Sequence, residues 1–141
     1  MTAGLEVWNL GLCPTAAVAH LASGNAGGIM ISASHNPPAD NGIKFFNSQG
    51  TKLSGTIQRE IEAALRGQGL PESGMATDEA AAMQWGRTYQ RPDLVERYVD
   101  FLHQPFQPHP DLSGMRIVLD LAWGAATRVA KQVFEATGAE V

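Results

Sequence analysis

Apolar positions come in two spacings along this chain: short runs that alternate or stay continuous, and longer stretches with an apolar residue at every third or fourth place. Leu5-Glu6-Val7-Trp8-Asn9-Leu10 alternates as a short strand does, and Pro14 then opens a helix through Val18 to Leu21 that closes near Gly24. Gly27-Gly28-Ile29-Met30-Ile31-Ser32 is an almost unbroken apolar run, the pattern of a strand covered on both faces as in a parallel sheet. From Ser34 to Gly42 the chain is dense in turn-forming residues: Pro37 biases Asn36 away from helix, and Asn41-Gly42 favours positive φ. Ile43 to Phe46 resumes extended structure, and Ser54 can cap a helix that places Ile57, Ile61, Ala64 and Leu65 on one face.

From Gly67 to Arg91 no period is visible, and the stretch reads as an irregular surface excursion. Leu94, Val95, Tyr98, Phe101 and Leu102 then mark an amphipathic helix with Pro92 in its first turn. Pro105, Pro108 and Pro110 punctuate a short extended linker and set a domain boundary, so that residues 1–104 form one unit, 105–114 the linker and 115–141 the start of another. In that second unit Ile117 to Leu121 reads as a buried strand, and Thr127 to Ala136 as a helix with Val129, Val133 and Phe134 inward, stopped by Gly138. Met1 to Gly4 reads as the tail of a helix and Ala139-Glu140-Val141 as the approach to a further strand, so both ends are expected to be cut from longer elements. Alternating strands and helices imply an α/β sandwich: three layers, with a mixed, largely parallel sheet flanked by helices.

Composition narrows the function. A hydrophobic share of 44% beside 17% charged residues is that of a globular domain with a core, and no stretch as long as a bilayer span is continuously apolar. A net charge of -4 argues against a nucleic-acid partner, since phosphate backbones attract clustered Lys and Arg. The start of the chain has no secretory pattern, and the cytoplasm is the expected location. Cys13 stands alone and is read as a small buried apolar residue. His20, His103 and His109 are read as ordinary surface or capping residues, with only His35 set apart by its neighbours.

Those neighbours carry the chemistry. The loop after the second strand offers the Ser34 hydroxyl, the His35 imidazole, the Asn36 amide and, a few residues on, the Lys44 ammonium. Ligands bind beyond the carboxyl ends of strands in open α/β sheets, which is where this loop begins. A serine oxygen can hold a phosphoryl group while cations and hydrogen-bond donors stabilise charge on its equatorial oxygens, and two consecutive prolines stiffen the loop. Ser, His, Asn and Pro are also ordinary turn material, and on composition alone a purely structural turn competes with this reading. No Gly-x-Ser-x-Gly elbow surrounds Ser34, and no Gly-rich phosphate fingerprint follows either strand, which disfavours a serine hydrolase and a nucleotide-binding domain.

The string from Ile31 to Phe46 resembles the active-site serine loop of the α-D-phosphohexomutases, whose core is Ser-His-Asn-Pro preceded by a small residue. Its form, Ile-Ser-Ala-Ser-His-Asn-Pro followed by Asp-Asn-Gly-Ile-Lys-Phe-Phe, looks like the branch that acts on glucosamine phosphate. Leu10 to Thr15, Gly50 to Leu53 and Arg116 to Gly124 are also similar to the family's segments, with two departures: Ala16 where a proline is usual, and Trp123 where Asn usually precedes Gly124.

The resemblance implies the latter part of the family's first domain and the beginning of its second. It also implies an isomerase that exchanges phosphate between the 6- and 1-positions of a hexosamine through a phosphoserine at Ser34 and a bisphosphate intermediate. His35 is expected beside the phosphoserine, and Lys44 is expected to neutralise the transferring phosphate or help move a proton. Asn36, Pro37, Asp40, Asn41 and Gly42 are expected to shape the loop. Mg²⁺ is expected to bridge the phosphate on Ser34 and carboxylates of an Asp-x-Asp-x-Asp loop that this chain does not contain. Alone, the chain is expected to be inactive. Two alternatives stay open: a mannose- or glucose-phosphate enzyme of the same family, and a non-catalytic module that keeps the loop as a relic.

Overall fold

The computed structural model describes residues 4–68, 86–106, 108 and 110–141. In chain order the elements are β1 (Val7–Asn9), α1 (Thr15–Ala22), β2 (Gly28–Ser32), β3 (Gly42–Phe46), α2 (Gly55–Leu65), β4 (Thr88–Gln90), α3 (Leu94–His103) and α4 (Thr127–Glu135), with short 3-10 turns at Pro38–Asp40 and Gln104–Phe106. Two strand pairs form. β1 runs parallel to β4 with Trp8 opposite Tyr89, and β2 runs antiparallel to β3 with Met30 opposite Lys44 and Ser32 opposite Gly42. The fold is thus a mixed α/β arrangement with parallel and antiparallel sheets flanked by helices.

The core sits between β2–β3 and α1. Cys13, Ala17, Val18, Ala22 and Phe46 are buried together, and Leu10, Met30, Val95 and Tyr98 close around them. Small residues make the approach possible: a Cβ on Gly28 would lie 2.9 Å from Ala22 Cβ and 3.1 Å from Val18 Cγ1. Cys13 is the buried apolar residue expected of it, and burial pushes its thiol pKa up, away from the reactive thiolate. At the far end of β3, Asn47 Oδ1 accepts hydrogen bonds from the backbone N–H groups of Gln49 and Thr51 and from Thr51 Oγ1, which fixes the turn that leads to Ser54. Ser54 caps α2 as expected, its Oγ accepting from Ile57 N at 3.4 Å.

α3 lies against α1 on one side and α4 on the other. Here two histidines depart from the surface role expected of them. His20 stacks on Phe101, ring centroids 4.2 Å apart, and His103 is buried, its Nε2 donating to the Val133 carbonyl at 3.0 Å. A carbonyl can only accept, so that ring nitrogen carries the proton. Sequence spacing hid both, because their apolar partners lie on other elements. His109 lies outside the described residues, as does most of the excursion between Gly67 and Arg91.

Three other expectations are corrected. β2 is covered on one face only: Gly28, Met30 and Ser32 alternate toward α1, whereas Ile29 and Ile31 stay exposed opposite Phe45 and Ile43. Ile117 to Leu121 forms no strand among the described residues. Only the residue before it, Arg116, makes a parallel bridge, with Glu140, and Val118 is 90% exposed. A run of apolar residues states a preference for extended structure, but a strand needs a partner along its length. Pro105 sits within a 3-10 turn that prolongs α3, where a proline's fixed φ is tolerated, and extended linker is absent at that point.

Candidate active site

β2 delivers the chain to Ser32, and the direction changes two residues later. Ser34 has φ +58°, the left-handed region that costs an L-residue roughly 1–2 kcal/mol, and it is one of three non-glycine residues with positive φ among those described. Asn41-Gly42, the pair expected to take positive φ, does not: Asn41 is extended at φ -61°, ψ 142°, and Gly42 is simply the first residue of β3. The reason lies in the loop's length. A two-residue hairpin needs left-handed residues at its tip, whereas this connection reverses through Ser34 and the 3-10 turn at Pro38–Asp40.

The loop is tied at several points. Ser34 N donates to Ser32 Oγ at 3.0 Å, Asn36 N to the Ala33 carbonyl at 3.0 Å, and Asp40 N to the Pro37 carbonyl at 2.9 Å. The Asn41 side chain donates to the Pro38 carbonyl at 2.8 Å. Pro37, at φ -53° and ψ 150°, starts the 3-10 turn. Asn36, Pro37, Asp40 and Asn41 therefore shape the loop through turn hydrogen bonds and proline geometry.

Of the three residues expected to act chemically, two are brought together. Ser34 Oγ lies 3.4 Å from His35 Nδ1, and both side chains are exposed. Lys44 stands on β3 opposite Met30, so it shares the sheet face of Ser32, two residue pairs back from the Ser32–Gly42 pair at the loop. It is half-buried, and among the described residues no ion pair engages it. An exposed hydroxyl with an imidazole beside it can carry an anionic group and donate to it.

Among the described residues no three His, Cys, Asp or Glu side chains gather as ligands, so they do not build a metal centre by themselves; the loop offers the Ser34 oxygen, the adjacent His35 imidazole and, further along the sequence, the Asp40 carboxylate. The side chain that sequence reasoning missed is Ser32, whose oxygen holds the Ser34 backbone. The available signal was a hydroxyl two residues before Ser34 at a strand end, the spacing of a side-chain turn.

Residues 1–70, which contain the whole serine loop, match the family model described as phosphoglucomutase/phosphomannomutase, alpha/beta/alpha domain I. The chain is 56% identical to the phosphoglucosamine mutase of Rippkaea orientalis over 99% of its own length and 28% of that protein's. It is 55% identical to that of Trichodesmium erythraeum and 48% identical to that of Acaryochloris marina, covering 99% of this chain and 27% and 29% of theirs. The chain therefore spans less than a third of the length of these relatives, and it belongs to the phosphoglucomutase/phosphomannomutase family, whose first domain residues 1–70 match.

Proposed function

We propose that this chain supplies the phosphate-carrying serine of a phosphoglucosamine mutase, and that Ser34 is that serine. The single observation that carries the reading is the exposed Ser34 hydroxyl, held on a left-handed backbone at the end of β2 with His35 Nδ1 3.4 Å away. Relatives bearing the name phosphoglucosamine mutase at 48–56% identity favour a hexosamine phosphate over the mannose and glucose phosphates.

In the forward half-reaction the bond between phosphorus and Ser34 Oγ breaks as a sugar hydroxyl oxygen bonds to phosphorus, and the hydroxyl proton ends on Ser34 Oγ. The bisphosphate turns over, and the reverse sequence of bonds returns the other phosphate to Ser34. His35, in contact with Ser34 Oγ, relays that proton; Lys44 offsets the phosphate charge; Asn36 closes the turn behind them. Because the transfer has little covalent demand on the protein, placement and charge do the work. The enzyme family is metal-dependent, and we assign Mg²⁺ to the whole protein. This chain's contribution to it is the phosphate on Ser34, and none of these steps runs through the ion. Residues 1–104 are assigned to the first domain, 105–114 to the linker and 115–141 to the start of the second, in a cytoplasmic protein without nucleic-acid or membrane partners.

The test is a chimaera in which this chain replaces the matching segment of a full-length relative. Glucosamine phosphate isomerisation should be restored, with one phosphoryl group on the peptide that contains Ser34, and Ser34→Ala should lower kcat by at least about a thousandfold. A Ser34→Ala chimaera as active as its parent would sink the reading.

A further inference from the structure

We propose that Ser32 is a positioning residue for phosphoryl transfer at Ser34: its hydroxyl oxygen, 3.0 Å from the Ser34 backbone nitrogen, holds that serine in the left-handed conformation that presents its own hydroxyl. The inference rests on the phosphoserine reading and adds to it a residue that never touches the sugar.

Ser32 is fitted to be the fixed partner. It is the last residue of β2, its backbone is registered against Gly42, and its side chain is half-buried on the face that packs toward α1. Ser34 is the movable partner, exposed and in a backbone region that a non-glycine residue leaves unless something holds it there. Two ties bracket it. Its own N–H is captured by Ser32 Oγ, and two residues on, the Asn36 N–H closes on the Ala33 carbonyl at 3.0 Å. Both ties act on one peptide unit, because the Ala33 carbonyl and the Ser34 N–H share a plane: Asn36 holds its carbonyl side, and Ser32 Oγ holds its N–H side through the one bond of the two that a side-chain substitution removes. Without the Ser32 oxygen the Ser34 N–H turns to water, the residue relaxes toward extended or right-handed backbone, and Oγ leaves its place beside His35. In-line transfer is sensitive to such displacement, and since the recorded bond of the Ser32 hydroxyl is to the Ser34 backbone, its loss is expected in kcat more than in sugar binding.

Threonine at this position keeps the same oxygen and suits a strand end, so it separates the hydrogen bond from mere occupancy of the site. In the chimaera, Ser32→Ala should lower kcat about tenfold with KM within about twofold, and Ser32→Thr should recover kcat to within about twofold of the parent. In the 141-residue chain itself, hydrogen exchange at the Ser34 amide should quicken about tenfold in Ser32→Ala and return in Ser32→Thr. Unchanged kcat, or unchanged Ser34 exchange in Ser32→Ala, overturns the inference, as does a threonine variant that folds yet fails to rescue. If Ser32→Ala is fully active while Ser34→Ala is dead, the inference falls and the phosphoserine reading stands. If Ser34→Ala is active, the reading falls and takes the positioning role with it.

Discussion

The loop after β2 and the loop after Leu121 use the same local device in different surroundings. In the first, Ser32 Oγ accepts from the N–H of Ser34, and Ser34 has φ +58°. In the second, Asp120 Oδ1 accepts from the N–H of Ala122 at 3.1 Å, and Ala122 and Trp123 have φ +44° and +57°. Each is a side-chain oxygen bonded two residues ahead, holding non-glycine residues in left-handed backbone. The supports differ. β2 is paired over five residues with β3 and rests on α1, whereas the segment before Asp120 has one bridge and leaves Val118 90% exposed, and Trp123 in the turn itself is 98% exposed. Turn chemistry of this kind is therefore settled within a few residues, while the rigidity of what carries the turn is settled by contacts far along the chain.

The sharpest way to break the comparison is to remove a support. Phe46 is 7% exposed at the centre of the cluster formed by Cys13, Ala17, Val18 and Ala22, so Phe46→Ala should cost about 3–5 kcal/mol in urea unfolding and loosen the serine loop with it. Val118→Ala, in the corresponding segment of the second region, should change stability by no more than about 0.5 kcal/mol. Equal losses would mean that the two loops are equally supported.

This division also governs what could be read from the chain before its structure. β1, α1, β2, β3, α2, α3 and α4 were legible because each announces itself locally: the alternation of Leu5 to Leu10, Pro14 and Pro92 before helices, Ser54 as a cap, and the apolar period within Leu94 to Leu102. Ser34, His35 and Asn36 were legible as chemistry for the same reason, being adjacent in sequence. What escaped depended on partners elsewhere. His103 is buried because Val133 offers it a carbonyl thirty residues on, and His20 departs from the surface because Phe101 stacks on it. The left-handed conformation was expected at Asn41-Gly42 on residue type, and it lies at Ser34 because the length of the loop moved the reversal there.

A smaller effect sharpens the parallel between the loops. Trp123 holds φ +57° with no burial to compensate it, whereas asparagine enters this region more readily. Trp123→Asn should therefore stabilise the chain by about 0.5–1 kcal/mol in thermal or urea unfolding. Ser34→Asn should relieve its backbone by a similar amount while abolishing isomerisation in the chimaera, because the oxygen that carries phosphate is gone. Strain would then be dispensable in one loop and tied to function in the other. A Trp123→Asn variant less stable than its parent would show that Trp123 is held by more than its backbone.

The smallest effect concerns two exposed carboxylates, one in each region. Arg91 holds the Asp93 carboxyl below the usual carboxylate pKa through a bidentate contact at 2.9–3.2 Å, and hydrogen bonds from Ser113, including its N–H at 2.9 Å, do the same for Asp111. A carboxyl whose pKa is lower in the folded state binds protons less readily there, so its stabilisation is present above the ordinary value of about 4 and is lost as pH falls through the lowered value. Both groups should therefore steepen the acid limb of the stability curve below about pH 4, and Asp93→Asn and Asp111→Asn should each flatten it slightly. Salt tells them apart. The Asp93 contribution comes from an ion pair and should shrink between about 0.05 M and about 0.5 M salt, while that of Asp111 comes from neutral donors and should not. If the two variants respond alike to salt, the Arg91 contact is not what lowers the Asp93 pKa, and the ionic strapping before α3 has no counterpart in solution.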